Sequence, residues 1–192
     1  RKAVWKAAGA CKDITAAHLQ AVADLLEKQT GRYVKLPYGL TATRVYNVIE
    51  IMGKRKETEK ICLPIDTDRL PENLLAGEWK FSFKKFPYDG NTDKIPRKMY
   101  TKWFDYDKIK DSLAIRNRRK GDYFVLDAAG HHKKLEDYFV NEKIPASHRD
   151  EQLLLAGEDE IFWIVGGRMA YGTGISDATR WVLEITASNS SH

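Results

Sequence analysis

Cysteine is scarce in this sequence. Cys11 and Cys62 are the only two among 192 residues, and neither stands at a spacing that holds zinc or forms a redox pair. With no cysteine framework to staple it, the chain reads as a cytosolic protein with reduced thiols. Long apolar runs are missing as well. The longest strongly apolar one, Ile161-Phe162-Trp163-Ile164-Val165, falls far short of the roughly 20 residues that cross a bilayer, so no membrane contact is predicted. No serine or cysteine stands in a nucleophile motif, and His148 with Asp150 is better explained by an exposed helical turn than by acid–base chemistry. No catalytic residue is assigned. The glycine-rich stretch Gly166 to Gly174 lacks the third glycine and the following helix of a dinucleotide loop, and fits a twisted hairpin or bulge better. His131 and His132 have no further histidine or cysteine at ligand spacing, which argues against a metal site.

What the sequence does contain belongs to a folded protein. It is 43% hydrophobic, 11% aromatic and 31% charged, enough for one large or two small domains with a real core. Trp5, Trp79, Trp103, Trp163 and Trp181 are expected to seek burial. The formal net charge is +5, distributed as +6 over residues 1–60, zero over 61–107, +4 over 108–149 and −5 over 150–192. Such regional charge suits a directed anionic partner better than a uniformly basic shell does. The chain opens on Arg1-Lys2-Ala3 with neither methionine nor an apolar signal region, and is expected to be a piece of a longer protein.

Periodicity divides the chain into a helical start and a β-rich remainder, an α+β class. Residues 13–30 carry Leu19, Val22, Leu25 and Leu26 on one helical face, with Asp13 or Thr15 as cap and Gly31 as stop. Val4 to Ala8 reads as a shorter helix. Strands are predicted over 33–36 and 43–51, joined through a Pro37-Tyr38-Gly39 turn. The charged run Gly53 to Lys60 reads as a linker or exposed turn. Glu78 to Lys84 alternates strictly, which places Trp79, Phe81 and Phe83 on a buried face. Further short strands are predicted at 100–104, 113–116, 123–126, 152–155, 161–165 and 180–185. Among them a helix runs over 133–141, with Leu135, Tyr138 and Phe139 on one face. Pro145 ends it and opens a second helical turn. Residues 188–192 read as a polar tail.

The cations of the third segment are the chemically interesting ones. If residues 113–119 continue a strand, Arg116 and Arg118 share a face and Arg119 takes the other. The residues alone leave two readings open, neighbouring phosphates or a charged strand edge that resists unwanted pairing. Lys133 and Lys134 are more telling, because lysines in the first turn of a helix oppose its dipole. Beside free backbone N–H groups after Gly130-His131-His132, they make a place that a phosphate would satisfy.

The order Asp105-Tyr-Asp-Lys-Ile109, Ile115-Arg-Asn-Arg-Arg119, Gly121-Asp122, Lys133-Lys-Leu-x-Asp-Tyr-Phe139, Lys143-Ile-Pro-x-x-x-Arg-Asp150 and Trp163-Ile-Val-Gly-Gly-Arg168 resembles the C-terminal part of bacterial tRNA(Ile)-lysidine synthetase. His18, Leu25-Leu26 and Thr30 to Gly39 resemble the end of that family's middle helical domain and the β segment after it. The resemblance implies two regions. Residues 1–56 would end the helical substrate-recognition domain and add a β-hairpin. Residues 57–192 would form the C-terminal tRNA-binding domain, with its core motifs over 105–185. It also implies a β-sandwich of unusual topology with short helices, like a module in the phenylalanyl-tRNA synthetase β chain.

The family's complete enzyme joins lysine to the wobble cytidine of an isoleucine tRNA, using ATP and Mg in an N-terminal ATP-pyrophosphatase domain. That domain's Ser-Gly-Gly-x-Asp-Ser phosphate loop does not occur here. The resemblance therefore implies a catalytically inactive, cofactor-free piece that grips the tRNA(Ile) with the CAU anticodon and presents it to the N-terminal domain. Arg116, Arg118, Arg119, Lys133, Lys134, Lys143 and Arg149 are the RNA-binding residues it points to, with Lys2, Lys6 and Lys12 as a second patch. The alternative is a protein-interaction module, in which the acidic stretch from Asp150 to Glu160 and the aromatic strands serve a homodimer or docking on the N-terminal domain.

Overall fold

The computed structural model describes residues 12–53, 60–109 and 112–189. The chain divides into two compact units, Arg1–Thr58 and Glu59–His192.

In the first unit, Thr15 starts the helix α1 (Ala16–Asp24) with a reciprocal cap. Its hydroxyl accepts from the His18 N–H, and the His18 ring accepts from the Thr15 N–H, so two otherwise orphaned donors are satisfied. The helix tightens into a 3-10 turn at Leu25–Glu27 and stops well short of residue 30. Strands β1 (Tyr33–Lys35), β2 (Thr41–Val45) and β3 (Val48–Met52) follow as an antiparallel sheet in that order. The strand expected over 43–51 is in fact two, because Tyr46 takes a positive φ of 50° and folds the chain back on itself. Leu25, Leu36, Leu40 and Ala42 form the core, with Leu19 and Val22 of the helix packed against it. The short helix expected over 4–8 and most of the expected linker lie outside the described residues.

Among its described residues the second unit carries ten strands: β4 (Cys62–Pro64), β5 (Asn73–Ala76), β6 (Trp79–Pro87), β7 (Thr101–Asp105), β8 (Ala114–Arg116), β9 (Tyr123–Val125), β10 (His132–Lys134), β11 (Leu154–Ala156), β12 (Ile161–Ile164) and β13 (Trp181–Asn189). Short helices α2 (Tyr106–Ile109), α3 (Leu135–Asn141) and α4 (Ala146–Arg149) lie between them. The strands build two four-stranded antiparallel sheets, in the orders β12-β11-β8-β4 and β5-β6-β13-β7, and a β10-β9 pair. Phe81, Phe83, Leu183 and Ile185 of one sheet meet Ile115, Leu155 and Trp163 of the other in a shared core, which makes the pair a sandwich. The alternation around Trp79 holds: Phe81 and Phe83 are buried and Trp79 is half-buried at the rim. Of the tryptophans, Trp163 is fully enclosed, whereas Trp181 remains 42% exposed at the start of its strand. β13 also runs on to Asn189, paired with Trp79, through the start of the expected polar tail.

A second core lies on the outer face of the β12-β11-β8-β4 sheet. Leu154, Ala156, Ile161 and Ile164 pack there against Phe124, Leu135 and Phe139, so the β9–β10 pair and α3 form a third layer. β11 and β12 are buried on both faces, which is why both read as continuous apolar runs rather than alternating ones.

Candidate nucleic-acid interface

This third layer holds the cation-rich motifs, and the structure sorts them by burial. Arg116 ends β8, a strand covered on both faces, and is 1% exposed. A guanidinium so placed must be paired. Its Nη1 and Nη2 donate to the two Asp122 carboxylate oxygens, each at 2.8 Å. They also donate to the Asn117 and Glu158 carbonyls at 3.1 and 2.8 Å. Arg116 is therefore spent inside the protein in this structure, where the sequence reading had it facing a phosphate. It is the internal pin of the loop that follows it.

The pin shapes the surface above it. Asp122 is 2% exposed and also accepts the Arg119 N–H at 2.7 Å, while its carbonyl accepts the Leu135 N–H at 2.9 Å. Asn117 exchanges two hydrogen bonds with Ile61, side chain and backbone. Loop 117–121 is thereby clamped to β4 and to the start of α3. The strand ends at Arg116, as the expected span 113–116 has it, so the conditional continuation to 119 does not form and Arg118 and Arg119 project from the loop that follows.

Arg118 is central to the face and already engaged. It donates to Asp150 at 2.8 Å and its guanidinium lies 3.7 Å from Glu136, tying the loop to α3 and to the end of α4. Arg119 is exposed, with Nη2 at 3.0 Å from the Cys62 sulfur. Lys133 and Lys134 are not in the first turn of the helix. They finish β10, in register with Phe124 and Tyr123, and the helix begins at Leu135 with Glu136 and Asp137 in its first turn. The ladder with β9 claims the backbone there, so the argument from an opposed helix dipole fails. Lys134 is exposed at the cap position; Lys133 is half-buried, and its amine donates to Asn141 at 2.6 Å once that amide is oriented to satisfy both its partners. Lys143 is exposed at the turn after α3, with φ of 55°. Arg149 is half-buried and donates to the Ile144 carbonyl at 2.8 Å, which ties α4 to that turn.

Exposed Arg119, Lys134 and Lys143 thus stand on a frame built by Arg116, Arg118 and Arg149. Lys120, also exposed in the clamped loop, joins them; its place directly after Arg118 and Arg119 is the sequence signal for it. Arg168 lies over the Phe124 ring, 5.2 Å from the centroid, and the Gly-Gly-Arg turn is the sequence signal for it. His131 is spoken for by Asp127, with ring nitrogen and carboxylate 2.9 Å apart. That hydrogen bond holds the Asp127 carboxyl below its ordinary range. Burial pushes the Tyr138 phenol above its own. Of the proposed second patch, Lys12 is exposed in a turn, and Lys2 and Lys6 lie outside the described residues.

Comparison with known proteins meets this architecture directly. Residues 113–185 match the family described as the TilS substrate C-terminal domain. They belong to that domain family. The chain is 34% identical over 169 residues to a tRNA(Ile)-lysidine synthase of Caldanaerobacter subterraneus subsp. tengcongensis, covering 88% of this chain and 36% of that protein. It is 28% identical over 197 residues to the same enzyme of Clostridium perfringens, covering 97% of this chain and 41% of that protein. The chain thus spans about two fifths of the length of the curated relatives it matches. A solved structure titled "Crystal structure of TILS C-terminal domain" superimposes with a TM-score of 0.50 at 20% identity, covering 69% of this chain and 98% of that one. That likeness supports the fold: antiparallel sheets with few short helices.

Proposed function

We propose that this chain is the tRNA-recognition part of a tRNA(Ile)-lysidine synthase. In this reading it positions the isoleucine tRNA bearing a CAU anticodon, so that an N-terminal ATP-pyrophosphatase domain converts the wobble cytidine to lysidine with lysine and ATP. ATP and magnesium act in that domain, and the residues described here hold and orient the RNA. The observation that carries the proposal is the division of labour among the cations of a TilS-type domain. Arg116 is consumed inside, and it fixes a loop from which Arg119 and Lys120 project, tied through the Asp122 carbonyl to the Leu135 N–H that follows exposed Lys134. Rigid presentation of exposed cations lets phosphates displace counterions without the cost of ordering the loop at the moment of binding. Such contacts read the backbone and shape of a folded RNA, because the major groove of an RNA helix is too deep and narrow for side chains.

The test is binding of this chain to the CAU isoleucine tRNA and to a non-cognate tRNA, each across a salt series. Tighter cognate binding with a steep loss of affinity in salt is the expected result. Absence of binding to either at low salt would move the role of this chain to contacts with other protein segments.

A further inference from the structure

Next to the cationic face, on the rim of the sandwich, lies an open cavity of about 290 Å³ lined by Trp79, Tyr100, His148, Glu151, Gln152 and Gly166 among others. Trp79 and Tyr100 form an aromatic pair there, with ring centroids 5.3 Å apart and planes tilted by 47°. Tyr100 is 38% exposed, so it offers surface to an incoming group. Its position is built in. Gly166 has a φ of +76°, and a Cβ placed there would come within 2.7 Å of the Tyr100 ring, so the ring lies where only glycine admits it. Much of the remaining lining is polar, with His148, Glu151 and Gln152. Both N–H bonds of the Gln152 amide are spent on the Leu153 and Val165 carbonyls, at 3.0 and 2.9 Å, which leaves its carbonyl oxygen as the group it can offer. Glu151 adds a carboxylate. The cavity therefore combines aromatic faces with hydrogen-bond acceptors.

We infer that this cavity takes an unpaired nucleobase carrying an exocyclic amine, stacked on Tyr100 and Trp79 and donating to Glu151 and Gln152. An arginine side chain of a protein partner shares the flat face and the donors, but the connectivity favours RNA. Residues 148–152 serve both places at once: Arg149 and Asp150 bond into the cationic face, while His148, Glu151 and Gln152 line the cavity. A strand held by phosphate contacts on that face would carry its next bases past this rim. Stacking on aromatic side chains is how single-stranded RNA is held, and every base has a face to offer. The inference rests on the tRNA-binding reading and adds the base contact that phosphate binding lacks.

Two measurements separate the inference from the reading beneath it. The first is tRNA affinity of Tyr100→Ala and Tyr100→Phe across salt. Loss of a stacked base costs roughly tenfold in affinity, with the salt slope unchanged because no phosphate contact is lost, and Phe should restore most of it. The second uses hexamers of cytidine and of uridine, which differ where cytosine has an amine and uracil an oxygen. The wild type should prefer the cytidine hexamer, and Glu151→Ala, an exposed change that leaves the core alone, should erase that preference. If tRNA binds with a steep slope but Tyr100→Ala binds equally well and the hexamers are not distinguished, the cavity inference is overturned and the tRNA reading stands. Failure of the wild type to bind tRNA or hexamers overturns both. Response of the Trp79 and Tyr100 resonances to an arginine-rich peptide and not to the hexamers would also overturn the inference, in favour of a protein ligand.

Discussion

Arg116 shows how a residue of the right chemistry ends in a different role. In sequence it leads a run of cations, and nothing local distinguishes it from Arg118 or Arg119. The difference is made by the third layer, which covers the outer face of β8 and turns the guanidinium onto the Asp122 carboxylate six residues on and two backbone carbonyls. Removing one partner of such a pair strands a buried charge, at a cost of about 3–5 kcal/mol. Asp122→Ala should lower stability by about that amount in urea unfolding, while Lys134→Ala, at an exposed site, should stay within about 0.5 kcal/mol of wild type. Asp127 allows a check by pH. Its folded carboxyl titrates below the ordinary carboxylate range through the His131 bond, so whatever that bond contributes is fully present above the unfolded pKa and is lost as pH falls through the folded one. A carbon-detected NMR titration should place the Asp127 midpoint below that of a free aspartate, and His131→Ala should return it upward.

Most elements were legible because their causes are local. The strict alternation at 78–84 produced β6, the Leu135, Tyr138 and Phe139 spacing produced α3, and Pro145 opened α4 as its fixed φ requires. What was not legible arises from partners far along the chain. β4, β5 and β10 are three or four residues long and exist because β8, β6 and β9 offer them ladders, which short segments do not announce. The same cause misplaced the helix start: Lys133 and Lys134 pair with β9 before α3 begins. The exposed cations were visible in the sequence, but which of them stay outside was not, since that depends on a layer whose existence only the fold reveals. Gly166 is the comparable case for the turn between β12 and β13. Gly166→Ala should cost at least about 1–2 kcal/mol for the left-handed backbone alone and should also displace Tyr100, visible as a changed tyrosine environment in near-ultraviolet circular dichroism.

At the scale of the whole molecule, the net charge of +5 says less than where the free cations stand. The acidic stretch that starts at Asp150 contributes to holding the basic face together, since the Asp150 carboxylate takes Arg118, while the main chain at Glu158 supplies a carbonyl to Arg116. The charge asymmetry along the sequence therefore folds into one frame that points a few cations outward. The most direct measurement of that claim is the salt dependence of tRNA binding for wild type and for a variant with Arg119, Lys120, Lys134 and Lys143 all replaced by alanine. Each phosphate contact contributes about 1 to the slope of log affinity against log salt, so the variant should lose roughly 3–4 from the slope and bind more weakly to every tRNA at low salt. An unchanged slope and affinity in a variant that is folded by circular dichroism would contradict the account, and would place RNA recognition on another surface of the protein.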